Sequence, residues 1–235
     1  MGKLSEKVAR GRETRDALIA AGREEFATNG YADSAVDAIV RRAGVTKGAF
    51  YHHFSGKEDL FGQVFEHVKK ELSRAAFVVH ADHEPFAPRG AERTRLEQFA
   101  TQTNTEVWRE FVGRCRRYIE LHLDPRVRRI ALIDARSVLP WQEWQRVERE
   151  HGVTMLRADL RRATHRGIIR ALPLNVLATV VVGALNEACM LVANSSNPED
   201  VLDQAMSVIE CMLDGLLIDG TEPPSGEHEP LDHGH

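Results

Sequence analysis

Residues 34–54, SAVDAIVRRAGVTKGAFYHHF, read as two short helices hinged at a glycine. Ser34 stands where its hydroxyl can cap the free amides of the first helix, with Asp37 in the first turn to answer it and favour the dipole. Val36, Ile39, Val40 and Ala43 give that helix its apolar face. Gly44 falls where the chain must turn sharply, and a left-handed conformation there costs glycine nothing. Val45 can pack beneath the turn, and Thr46 is placed to cap the second helix. Phe50 is then predicted to be core, while Lys47, Gly48 and Tyr51 face outward. This is the pattern of a helix-turn-helix unit, whose second helix lies in the DNA major groove while the first crosses the backbone.

The flanks extend the pattern. Upstream, Ala17, Leu18, Ala21, Phe26 and Ala27 recur at helical spacing until Asn29-Gly30, a C-terminal signal. Downstream, Ser55-Gly56-Lys57-Glu58 reads as a capping box that starts a fourth helix. Three helices would close a small core, with the fourth leading out of it.

With these residues in place the chain resembles the TetR family of bacterial transcriptional regulators. The resemblance is carried by FATNGY (Phe26 to Tyr31), the AGV turn (Ala43 to Val45), TKGAFYHHFSGKEDLF (Thr46 to Phe61) and the helix before them. It implies that Thr46, Tyr51, His52 and Lys57 grip phosphates and that Lys47 and Gly48 lie closest to the bases. Ser34 and Ala35 complete the candidate DNA-binding set, although Ala35 stands where the family often has a second hydroxyl residue. The chemistry agrees: lysine is a point charge suited to phosphate, a tyrosine hydroxyl can donate to a phosphate oxygen, and Gly48 lets the backbone approach the duplex. Of these residues Lys47 offers the obvious base contact, to guanine. The alternative role for Tyr51 and His52 is to cover the apolar core.

The chain has 235 residues, 43% hydrophobic and 28% charged, enough to bury a full core in one or two domains. Its net charge of -4 suits a DNA binder only when divided. Residues 1–57 hold 10 Lys+Arg against 7 Asp+Glu, and the remainder 21 against 28. The excess of positive charge is confined to the part expected to meet a polyanion. The N-terminus, MGKLSEKVARGRETR, lacks the apolar core of a signal peptide. The run Val176 to Leu185 is interrupted by Thr179 and Gly183 and is shorter than the roughly 20 residues of a membrane span. A cytoplasmic protein with no membrane partner is expected. Cys115, Cys189 and Cys211 are widely spaced in helical patterns, which fits reduced packing thiols better than a disulfide frame.

The rest of the sequence is also helical, so the fold class is all-α, with about nine helices. The fourth helix is expected from near Gly56 to near Val79, followed by a loop, HADHEPFAPRG. Further helices are expected from Ala91 to Leu123, from Arg126 to Val138, and from Pro140 toward Gly167. Residues 1–56 form the expected DNA-binding domain, 57–218 an effector-binding and dimerisation domain, and 219–235 a disordered acidic tail. From Pro173 or Leu174 to Val192 a helix is apolar on nearly every face, and such a helix must be covered all round. Asn197-Pro198-Glu199-Asp200 then opens the final helix, with a cap, a first-turn proline and acids at the positive end of the dipole. By resemblance these two helices pair with their symmetry mates in a homodimer through Leu177, Val181, Leu185, Val192, Val208, Met212 and Leu216. A single thick core in a monomer is the other reading.

The middle helices carry the candidate effector site: Trp108, Phe111, Cys115 and Tyr118 at helical spacing, then Trp141 and Trp144, with Asn186 and Met190 from the next-to-last helix. Aromatic walls with few polar groups suit a flat, largely apolar ligand. The same stripe would also serve as core, and Asn186 could satisfy a buried hydrogen bond. SVLPWQEW further resembles one common TetR-type C-terminal domain. The dense arginines of this region read as a solvated face paired with acids. His80-Ala-Asp-His83 and His233-Gly-His235 have spacings a metal could use but complete no zinc set, and no Gly-rich phosphate loop, nucleophile elbow or HExxH occurs. No cofactor, metal or catalytic residue is expected. The sequence therefore predicts a homodimeric repressor that binds double-stranded operator DNA and is released by a small-molecule effector. An activator, a protein-switched regulator or a nonspecific nucleoid-type binder would share the same motifs.

Overall fold

The computed structural model describes residues 2–77 and 102–218. The proline-containing loop expected over 80–90, the helix start at Ala91, the two histidine pairs and the tail at 219–235 lie outside the described residues. Nine helices account for the described chain, with no strand beyond an isolated bridge between Ile169 and Leu217.

The head begins with α1, Gly2–Asp33, which breaks at Gly30 (φ 79°) as the Asn29-Gly30 signal predicted. At that positive φ a side chain would be strained, and its Cβ would lie 2.7 Å from Arg129 Nε, so the guanidinium would have to move. Helix α2, Val36–Ala43, ends on Gly44 in the left-handed region (φ 66°), and α3, Lys47–His53, is capped by Thr46, whose Oγ1 accepts from the Ala49 amide at 3.1 Å. Two caps differ from expectation. Ser34 Oγ donates to the Gly30 carbonyl at 2.5 Å, so α2 starts on Ala35 with no side-chain cap. At the head of α4, Lys57–Ala76, Asp59 rather than Glu58 reaches back, accepting from the Ser55 amide at 2.8 Å. In both cases the bond spans four residues, where the sequence reading placed a partner three residues away.

The head core is aromatic. Phe26, Phe50, Phe54, Phe61 and Phe65 are buried with Leu18, Ile39 and Val40, and Phe26 and Phe61 meet edge to face at 5.2 Å. Helix α4 belongs to two cores: Leu60 to Leu72 pack into the head, whereas Ala76 and Phe77 join the body.

The body comprises α5, Asn104–Leu121; α6, a composite of Pro125–Arg128, a π-helical turn Arg129–Asp134 and Ala135–Val138; α7, Trp141–Glu148, a second π-helical turn Arg149–Val153 and Thr154–His165; α8, Leu174–Ala193; and α9, Pro198–Asp214. A Thr103–Glu106 capping box opens α5. Helix α8, 20 residues long, has the length and apolar composition of a membrane span, but half of its most apolar stretch is buried in the body core, between α5, α7 and α9. Head and body are joined by more than α4. The Tyr31 amide donates to Asp134 at 2.8 Å, and Arg126 pairs with Glu24.

Candidate nucleic-acid interface and effector core

On α3 one face is fixed and the other is open. Phe50 is fully buried, as predicted, while Lys47, Gly48, Tyr51 and His52 are exposed, Tyr51 by 54%. Tyr51 stands edge-on against Phe50 at 5.1 Å, so its ring is supported from beneath while its hydroxyl faces solvent. Nothing but Thr46 Oγ1, 3.9 Å away, would meet a Cβ at Gly48, which leaves the approach to the α3 backbone clear. Lys47 Nζ pairs with Asp37 at 2.8 Å, tying α3 to α2; this hydrogen bond and charge hold the aspartate below and the lysine above their ordinary ranges. A base contact by Lys47 exchanges that exposed pair for a new one. Thr46 spends an acceptor on the cap and remains at the exposed surface, as does Ala35. Arg41 and Arg42 on α2 widen the exposed basic surface; they were visible in the sequence only as the polar side of that helix.

Two members of the expected DNA-binding set have partners inside the chain. Ser34 is buried, with its hydroxyl committed to Gly30. The Lys57 ammonium donates to the carbonyls of Tyr31, Ala32 and Ser34 at 2.8, 3.3 and 2.9 Å and sits 4.3 Å from the centre of the Tyr31 ring. An ammonium has three protons to donate. Lys57 therefore fastens the α1–α2 link while remaining half-buried.

In the body, Trp108, Phe111, Cys115 and Tyr118 line one buried face of α5, and Trp108 Nε1 donates to Asp214 at 3.0 Å. Tyr118 opens a polar network that the aromatic spacing did not announce. Lys69 Nζ donates to Tyr118 Oη at 2.5 Å and pairs with Glu148 at 2.9 Å; Tyr118 donates to Asn186 Oδ1 at 2.9 Å, and Asn186 Nδ2 donates to Glu148 at 3.2 Å. All four residues are buried. Burial opposes the charge of Lys69, but Glu148 and Tyr118 together hold its pKa above the ordinary lysine value. Beside them His122 packs its ring 4.4 Å from Tyr118, and burial, aided by the Lys69 charge, pushes it down to about 3. Its Nε2 and the Ser73 hydroxyl are buried without a hydrogen-bond partner. Burial also raises Cys115 and Cys189 to about 12, keeping both thiols protonated and unreactive.

The expected effector residues divide. Asn186 joins Tyr118 directly and Met190 packs partly buried against the same core. Trp141 and Trp144 do not converge there: they stack on each other at 5.0 Å, Trp144 against the head-side core and Trp141 65% exposed. Lys69, Ser73, His122 and Glu148 were missed, although a lysine on the α4 stripe with Phe65, Val68, Leu72 and Ala76 is a legible anomaly.

The last two helices show a comparable division. Val181, Leu185 and Val192, expected at a subunit interface, are buried within their own chain. Val208 and Met212 of the same expected set are exposed on α9, beside Val176, Val180 and Leu191 on α8. A groove of about 170 Å³ runs between the helices, with Leu177 and Leu216 in its lining.

A helix-turn-helix head mounted on an all-helical body thus defines the class of protein. The family "Bacterial regulatory proteins, tetR family" matches residues 18–64, and "Tetracyclin repressor-like, C-terminal domain" matches residues 108–216. The HTH-type transcriptional regulator TtgW of Pseudomonas putida is 45% identical over 56 residues, which is 24% of this chain and 42% of the relative. The matches thus span less than half the length of the first curated relatives. Similarity to solved structures is longer. A TetR-family transcriptional regulator from Pectobacterium atrosepticum aligns with TM-score 0.68 and 28% identity over 92% of this chain and 98% of its own. RolR, in complex with the ligand resorcinol, aligns with TM-score 0.63 and 18% identity over 93% of this chain and 98% of its own. The chain belongs to the TetR family.

Proposed function

We propose that this protein is a cytoplasmic, sequence-specific DNA-binding regulator, acting as a homodimeric repressor that a small ligand releases from its operator. The observation that carries the reading is the α3 surface, where a capped, aromatic-backed helix presents Lys47, Gly48, Tyr51 and His52 to solvent. In this reading residues 1–56 dock on DNA, with Tyr51, His52 and Thr46 at phosphates and Lys47 and Gly48 at base edges. Residues 57–218 carry effector binding and dimerisation. The exposed apolar stripe of α8 and α9 supports pairing with a second copy, which sets two recognition helices on half-sites about 34–36 Å apart.

The effector is a flat, largely apolar or aromatic molecule held near Trp108, Phe111, Tyr118, Asn186 and Met190. The buried unpartnered atoms of Ser73 and His122 favour a ligand that also carries a hydroxyl or similar polar group, and the resorcinol bound to RolR is of that kind. Such a ligand acts only if it binds two arrangements of head and body with different affinity. Helix α4, the Tyr31–Asp134 hydrogen bond and the Glu24–Arg126 pair are the connections through which that difference reaches α3.

The test is retention of a DNA fragment from the promoter of its own gene in a gel shift at fixed salt, challenged with hydroxylated aromatic and apolar compounds. Release by one compound class is the expected result. Specific retention that no compound disturbs would remove the ligand-released part of the proposal, and equal retention of random DNA would remove the sequence-specific part.

A further inference from the structure

Helix α4 meets α7 at a second polar cluster, built from residues other than those of the buried network. Among the described residues, Glu66, Glu150 and His151 bring ligand atoms within 4.8 Å of one another. We propose that these three residues form a site for a divalent transition-metal cation of the zinc type, bridging α4 to the π-helical turn of α7.

Four observations point the same way. First, His151 Nε2 is buried and has no hydrogen-bond partner; Glu66 Oε1 lies 3.8 Å from it, too far for a hydrogen bond but a suitable separation for two donors of one ion bonded at about 2.0–2.2 Å. Second, each carboxylate gives one oxygen to Arg146 and keeps the other: Glu66 Oε2 accepts at 2.9 Å and Glu150 Oε2 at 2.7 Å. The guanidinium thus orients both carboxylates without using up their ligand capacity, the role of supporting partners around metal sites. Third, Glu66, Glu143 and Glu150 all pair with the one guanidinium of Arg146, so the carboxylates outnumber the cation that they share. Fourth, the π-helical turn Arg149–Val153 sets the consecutive residues Glu150 and His151 toward α4, and such turns recur at functional sites. One imidazole and two carboxylates form a nitrogen–oxygen set that favours zinc-like ions over magnesium or calcium.

The experiment uses the full chain, stripped with a chelator, and titrates Zn²⁺ or Mg²⁺ by calorimetry. Expected is one zinc site distinguishable from weaker binding, weakened at least tenfold by Glu66→Gln and by His151→Gln, with no matching magnesium site. Hydrogen exchange on the unmutated protein supplies a readout that does not depend on variant folding: zinc should slow exchange in residues 62–70 and 147–155. Unchanged zinc affinity in both variants, or protection confined to segments holding other histidines, would overturn the assignment.

Discussion

Head and body are built from the same kinds of helix but specify their outward chemistry differently. In the head, one contiguous run contains the turn glycine, the cap, the buried Phe50 and the exposed Tyr51, so neighbours in sequence settle one another's orientation. In the body, Lys69, Tyr118, Glu148 and Asn186 come from four helices and become a network only once those helices pack. Function that rests on a surface can thus be written locally, whereas function that rests on an interior is written across the fold.

The contrast can be broken most strongly at Lys69. Lys69→Met strands Glu148 as a buried charge, and a stability loss of about 3–5 kcal/mol is expected in urea unfolding. Lys69→Met combined with Glu148→Leu should recover much of it; equal loss in the single and double variants would show that the pair does not act as a unit. Phe50→Ala, the local counterpart in the head, is expected to cost about 3–5 kcal/mol as well. Its loss should fall on head helicity and DNA binding, measured by circular dichroism and gel shift.

Smaller effects sharpen the comparison. Folded His122 holds its proton only near pH 3, whereas the unfolded side chain titrates near its ordinary value of about 6.5. Its contribution to stability is therefore complete above about pH 6.5 and declines as the pH falls from there toward 3, because the unfolded state alone takes up the proton. His122→Gln should lessen the acid sensitivity by about 1.4 kcal/mol per pH unit in that window; parallel stability curves would contradict a buried neutral imidazole. Thr46→Ala removes the α3 cap and is expected to cost about 1 kcal/mol. Tyr51→Ala, at an exposed position, should change stability by less than about 0.5 kcal/mol. It should nevertheless weaken DNA binding similarly for all sequences; a loss confined to one base position would contradict a phosphate role.

The all-α class, the head helices, the left-handed Gly44 and the Thr46 cap were legible because each follows from short-range chemistry. The cap expected of Ser34 did not form because a carbonyl four residues back competes for its hydroxyl, and the Lys57 hydrogen bonds to the Tyr31, Ala32 and Ser34 carbonyls were not legible because those groups meet it only in the folded head. On α8, apolar residues on nearly every face leave no phase to read, so Val181, Leu185 and Val192 could not be told from the exposed Val176, Val180 and Leu191. Trp141 and Trp144 matched the chemistry of a ligand wall but point elsewhere, since the direction of α7 is set by packing over long sequence separations.

The most direct test of the DNA-regulator reading is the equilibrium affinity of the full chain for promoter DNA against random duplex at one salt concentration, by fluorescence anisotropy. The account predicts a preference on the order of 10³ or more for a fragment containing the operator. Equal affinity for promoter and random sequence across the surrounding intergenic DNA would contradict it.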